Sequence, residues 1–186
     1  CVFFPLVTAL YFVLPHRWRW LLLLLASCWF YMAFVPVYIL ILGFTIGVDY
    51  FAGILIERSL GADRKRWLVL SIFANVGVLA IFKYYAFLTG NLEVFLASVG
   101  MARHFPDLGI LLPIGLSFHT FQSLSYTVEV YRGHVPAERR FGIFALYVMF
   151  FPQLVAGPIE RPQSLLPQFH ARRPFNMDDL TWGLVK

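Results

Sequence analysis

Long apolar runs with almost no charge recur along this chain, and their length is what most limits its fold. They occupy residues 2 to 14, 18 to 35, 36 to 56, 67 to 88, 110 to 128 and 141 to 157. A run of roughly 18 or more such residues is long enough to cross the hydrocarbon core of a bilayer as a helix. Backbone groups in lipid must be satisfied internally, which leaves helices or closed barrels. Barrel strands would alternate in polarity, and LLLLL at 21 to 25 and VYILIL at 37 to 42 do not. The expected fold is therefore all-α: one polytopic transmembrane domain over residues 1 to 186, with about six apolar helices, one of them a candidate for re-entry.

Composition points the same way. Hydrophobic residues make up 60% of the chain and charged residues 13%, against about 45–50% and about 25% in soluble domains. Too little polar surface is present to wrap a water-facing globule, so a soluble enzyme is excluded. The first run is too short to span and starts at Cys1 without an initiating Met, so the chain reads as one cut at its front. Cys28 lies inside the second run, and with no CxxC pair there is no metal or redox pattern; it reads as a small packing residue.

Lys and Arg cluster in alternate connections. Arg17 and Arg19 lie in the first, Arg58, Arg64, Lys65 and Arg66 in the third, and Arg132, Arg139 and Arg140 in the fifth. By the positive-inside rule these three connections are cytoplasmic and the N-terminus is outside. Arg161, Arg172 and Arg173 follow the sixth run and conflict with this simple alternation, unless that run is re-entrant or the arginines bind something. The net charge of +5 is accounted for by these juxtamembrane residues and calls for no nucleic acid. Trp18, Trp20 and Trp67 sit at run starts, as interfacial anchors do. In the connection from 89 to 109, Leu92, Phe95, Leu96 and Val99 share one helical face, the pattern of a short helix in the outer interface.

Polar residues within spans are costly, and so are candidates for function. If the third and fourth runs form a hairpin, Asn75 lies level with Asp49 and a hydrogen bond between them is expected, either as interhelical glue or as part of a relay. Lys83 lies about 12 Å away in depth at 1.5 Å per residue and is not a partner. On a wheel of the fifth run, His119, Gln122, Ser125, Tyr126 and Glu129 fall within a sector of about 120°, interrupted by Phe118. Such a stripe faces protein or water: it could line a substrate passage or bond neighbouring helices. His119 alone invites a general-base reading, but no Ser/His/Asp or Cys/His arrangement, HExxH, P-loop or GxGxxG accompanies it. Between residues 150 and 169, Pro152, Pro158, Pro162 and Pro167 cannot all sit in one regular helix. AGPIER reads as a broken helix lining a site, with Arg161 free for an anionic group, or as a helix end with a snorkelling arginine. The proline- and arginine-rich stretch from 158 to 186 is expected to lead into further helices.

PIGLSFHTFQSLSYTVEVYRG and FPQLVAGPIERPQSLLPQF, together with FKYYAF and RWRWLLLLLASCWFY, resemble the signatures of the membrane-bound O-acyltransferase family, in the bacterial branch of the alginate O-acetylation and D-alanyl transfer proteins. Their order is similar to that in the front part of a family member. The resemblance implies a membrane enzyme that passes an acyl group from a cytoplasmic thioester, acetyl-CoA or a species derived from it, toward hydroxyls of an exported polysaccharide such as alginate. It also implies an extracytoplasmic acyltransferase partner and a bacterial cytoplasmic membrane. The family's catalytic histidine lies in a later apolar helix, beyond Lys186, and His119 stands where relatives often have another aromatic. His119, Gln122, Ser125, Tyr126, Glu129 and Arg161 are thus candidates for a substrate passage, and Asp49 with Asn75 for a structural pair. A transporter or a noncatalytic scaffold is the alternative class; a transporter would favour inverted repeats with matching broken helices.

Overall fold

The computed structural model describes residues 2–33, 36–101, 115–156 and 160–172. Among these, all regular structure is helical, in eight helices: α1 (Phe3–Val13), α2 (His16–Met32), α3 (Tyr38–Arg58), α4 (Gly61–Ser98), α5 (Leu116–Arg132), α6 (Phe141–Met149), α7 (Phe151–Ala156) and α8 (Pro162–His170). Two stretches are long and apolar enough to cross a membrane, Tyr38–Arg58 and Gly61–Tyr85. The other apolar runs fold as shorter helices, so about six full spans is more than the described residues show. Arg17 and Arg19 belong to the first turn of α2 rather than to a connection, with Arg19 Nε donating to the Leu14 carbonyl at 3.0 Å.

α3 and α4 form a tight hairpin. Ser59 closes α3 by donating its backbone N–H to Leu55 at 2.9 Å, and Gly61, at φ +59°, opens α4. Beyond residue 88, where a separate interfacial helix was expected, α4 simply continues to Ser98. Polar side chains that would favour a break are turned back onto the helix instead: Thr89 donates to the Tyr85 carbonyl, Asn91 to Phe87 and Ser98 to Phe95. Short polar side chains satisfied in this way are compatible with a continuing helix. At 1.5 Å per residue, α4 is about 57 Å long. Its outer face carries Val69, Phe73 and Ile81 exposed, the kind of surface that lipid or a partner covers.

α5 packs into the groove of the α3–α4 hairpin. Close approach depends on Gly53 of α3, where a Cβ would lie 2.8 Å from the Tyr126 ring. α5 ends at Gly133, whose φ of +77° is open to glycine at little cost, and His134 N–H closes the turn on the Glu129 carbonyl at 3.0 Å. The next helix, α6, is apolar on every side and buried from Ile143 to Met149, as a helix enclosed by others must be. Trp20 of α2 lies against Gly142, where any Cβ would overlap its ring.

The sixth apolar run is not one helix. It breaks at Phe150 (φ −55°, ψ 109°) into α6 and α7, and the chain then turns back, so that α8 packs against the 133–140 connection it had left. His170 Nε2 lies 2.7 Å from Glu138 Oε2, and Gln163 Nε2 donates to Glu129 Oε2. That connection also meets the α3–α4 turn. The Ala137 N–H donates to Glu57 Oε1 at 2.9 Å, Arg139 pairs with Glu57, and Arg64 donates to the Val130 carbonyl at 3.1 Å. With Trp20 beside Gly142, the start of α2, the α3–α4 turn, the 133–140 connection and α8 gather at one end of the bundle.

Candidate functional site: two buried polar clusters on one helix

The first cluster is centred on Asp49, which is 0% exposed at mid-α3. Ser71 Oγ donates to its Oδ1 at 2.6 Å, Asn75 Nδ2 to Oδ1 and Oδ2 at 2.8 and 2.9 Å, and Ser123 Oγ to Oδ2. Thr127 Oγ1 lies 3.4 Å from Ser71. This one carboxyl group thus ties α3, α4 and α5 together through neutral donors. Asn75 is level with Asp49, the depth expected from the sequence. Ser71, Ser123 and Thr127 were not singled out there, because a serine or threonine in an apolar helix usually bonds its own helix. Lys83 is apart from this cluster, exposed, with Nζ 5.5 Å from the Tyr84 ring centroid.

The second cluster surrounds the break between α6 and α7. A helix end leaves its last carbonyls without partners, and here the sequence removes one of the amides that would have served. Pro152 has no N–H to offer Val148. His119 Nδ1 takes that carbonyl at 2.7 Å, and Gln122 Nε2 donates to the Tyr147 carbonyl at 2.8 Å and to Gln153 Oε1 at 2.9 Å. The Phe151 N–H, freed from Tyr147, donates to Ser27 Oγ at 3.2 Å. Tyr147 Oη reaches the Gln122 and Glu160 carbonyls at 3.3 and 3.2 Å. Three side chains from α2 and α5 therefore hold the irregular backbone, as irregular backbone at membrane depth requires.

The remaining stripe residues divide differently from the helical-wheel grouping. Tyr126 is fully buried and committed: its hydroxyl accepts the Glu138 N–H at 2.9 Å and its ring lies 4.5 Å from that of Phe144. Ser125 is half-buried. Glu129, at the α5 terminus, accepts from His134 Nδ1 at 2.8 Å and from Gln163, with Arg132 3.9 Å away. The His134 hydrogen bond, in first place, holds its carboxyl below the ordinary range. Arg161 is exposed at the head of α8; within AGPIER, residues 157–159 lie outside the described residues. A cleft of about 650 Å³ opens beside it, between α8 and the loop carrying His134, Pro136 and Glu138. Among the described residues no three His, Cys, Asp or Glu side chains converge as a metal site would need.

Exposed apolar side chains on the outer helices, two helices long and apolar enough to cross a membrane, and polar clusters buried between helices suggest a membrane protein. Comparison with known proteins gives the kind. The chain is 39% identical to the probable alginate O-acetylase AlgI of Pseudomonas aeruginosa over 173 residues, 92% of this chain and 33% of that protein. It is 38% identical to the protein of the same name from Azotobacter vinelandii, over 100% of the chain and 37% of that protein. The peptidoglycan O-acetyltransferase of Helicobacter pylori is 31% identical over 83% of the chain and 32% of its own length. No family model and no solved structure matches. These relatives match the membrane-bound O-acyltransferase family that the sequence signatures resemble, and the chain spans about a third of the length of the curated relatives it matches.

Proposed function

We propose that this chain forms part of the membrane body of an O-acetyltransferase, which moves an acetyl group from a cytoplasmic thioester, acetyl-CoA or a species derived from it, toward hydroxyls of an exported polysaccharide such as alginate. The observation that carries this reading is the match along nearly the whole chain to proteins named for O-acetylation of alginate and of peptidoglycan. In this reading the arginine-rich end of the bundle faces the cytoplasm of a bacterial inner membrane, and the N-terminus lies outside. The return of the broken sixth run to that end supports it, because Arg161 and Arg172 then need not cross. Arg161, exposed beside the cleft, is the candidate contact for an anionic part of the donor. A histidine in a later apolar helix activates the acceptor hydroxyl or relays the acyl group, and an extracytoplasmic acyltransferase completes delivery to the polysaccharide.

The test is acetyl-ester content of exported polysaccharide in a host whose own copy of the gene is deleted. Restoring the full-length protein should restore the esters, and replacing the later histidine should abolish them. Unchanged ester content in the deletion would refute the reading.

A further inference from the structure

A second cavity, of about 290 Å³, lies between α1, α2, the α6–α7 break and α8. Its wall is aliphatic and aromatic: Phe4 and Tyr11 of α1, Leu23 of α2, Phe151 at the break, and Leu165 and Phe169 of α8. Besides the Tyr11 hydroxyl, its polar wall residues are Thr8 and Gln168. Both donate to their own helices, Thr8 Oγ1 to the Phe4 carbonyl and Gln168 Nε2 to the Ser164 carbonyl, each at 2.9 Å. Polar ligands are oriented by polar groups aimed into a pocket, and a helix is about 10–12 Å across; this cavity offers neither those groups nor that room. It fits an unbranched hydrocarbon chain. From Tyr11 to Phe4 the wall follows α1 for about 10 Å, and Phe4 is exposed on the apolar outer surface.

Positive charge gathers at the opposite end of this wall. The Arg19 guanidinium lies 4.8 Å from the centroid of the Tyr11 ring and 5.8 Å from that of Phe12, and both rings belong to the cavity wall. Arg17 is exposed in the same first turn of α2, beside the exposed Trp18, a residue type that favours the headgroup level. No Asp or Glu precedes Asp49 in the chain, and the backbone dipole at the start of α2 also favours negative charge. We propose that the cavity holds one acyl chain of an anionic phospholipid, with the phosphate at the α1–α2 corner beside Arg17 and Arg19. The surrounding membrane supplies this ligand, and the chain fills the space that side chains leave between α1, the break and α8. The proposal goes beyond the acetyltransferase reading and needs no acetyl transfer to be tested.

Full-length protein in detergent is exchanged with phosphatidylglycerol carrying a photoactivatable acyl chain, or with phosphatidylcholine carrying the same chain, and the adducts are mapped by peptide mass spectrometry. Phosphatidylglycerol should label residues 4–12, 150–152 and 165–169 above phosphatidylcholine. An arginine near an anionic headgroup corresponds to about a fivefold change in binding, so R17Q/R19Q should bring the phosphatidylglycerol labelling down by at least about that factor, whereas R19K should keep most of it. Thr8→Trp, which places an indole in the cavity, should suppress labelling by both lipids with the thermal midpoint near wild type; should T8W fold poorly, the surface variant R17Q/R19Q still decides. Equal labelling by the two lipids, or labelling that R17Q/R19Q leaves unchanged, overturns the headgroup site and leaves nonselective lipid contact. Absence of adducts at these residues while exposed α4 is labelled overturns the cavity as a lipid site and shows that another part of the protein fills it.

Discussion

Asp49 shows how much a single side chain decides inside an apolar bundle. Its carboxyl group accepts from α4 and α5 at once, so replacing it with an isosteric amide turns an N–H₂ toward groups that also donate. Asp49→Asn is expected to destabilise the detergent-solubilised protein by about 1–3 kcal/mol, the usual cost of stranding buried polar groups, whereas Ser71→Ala removes one donor and costs about 1 kcal/mol. Thermal unfolding followed by intrinsic fluorescence checks both, and an unchanged midpoint for the asparagine variant would remove the cluster's structural role. At Gly53 the effect is steric. An alanine Cβ would press on the buried Tyr126 ring, and overpacking of this kind costs about 1–3 kcal/mol, so Gly53→Ala should lower the midpoint while Gly47→Ala, with open space around it, should not. The Asp49 and Asn75 pairing was legible because depth in a hairpin is simple arithmetic. Ser123 was not, because the face of α5 that meets α3 is set by packing, and one sequence does not carry the rotation of one helix against another.

Between elements, the join of α5 to α8 depends on Glu129, which binds His134 and Gln163 together. The His134 hydrogen bond, first among its partners, holds its carboxyl below the usual glutamate range. A lowered folded value means that the stabilising contribution is complete above the unfolded value and is lost as pH falls through the folded one. Hydrogen exchange over residues 162–170, corrected for intrinsic rates, should stay slow at neutral pH and accelerate only below about pH 4. Glu129→Gln should give the fast exchange already at pH 7; slow exchange in that variant would show that Leu165 and Leu166 hold α8 without the clamp. The prolines announced that the sixth run breaks. They did not announce that His119 and Gln122 receive the freed carbonyls, since nothing along the chain marks residues 25 to 31 positions apart as neighbours. The wheel grouped Tyr126 and Glu129 with them by angle, but in space one is locked against Phe144 and the other faces α8.

For the molecule as a whole, the gathering of the 59–60 turn, the 133–140 connection and α8 at one end makes a prediction about sidedness. Single cysteines at Leu60, Pro136 and Ala171 should react with an impermeant maleimide from the same side of sealed vesicles, and labelling of residue 171 from the opposite side would contradict the fold. The break at Phe150 also has a bearing on how the protein is made. Ser27, His119 and Gln122 all precede the carbonyls and amide that they satisfy, so a chain inserted from its N-terminus has these receptors in place before residues 147–151 leave the ribosome. A nine-residue helix is too short to insert by its own hydrophobic length, and here it arrives at a slot already prepared by earlier helices. Assembly order is thereby written into the direction of synthesis, and a circularly permuted gene that placed residues 141–172 first would present the broken helix to lipid with its carbonyls bare.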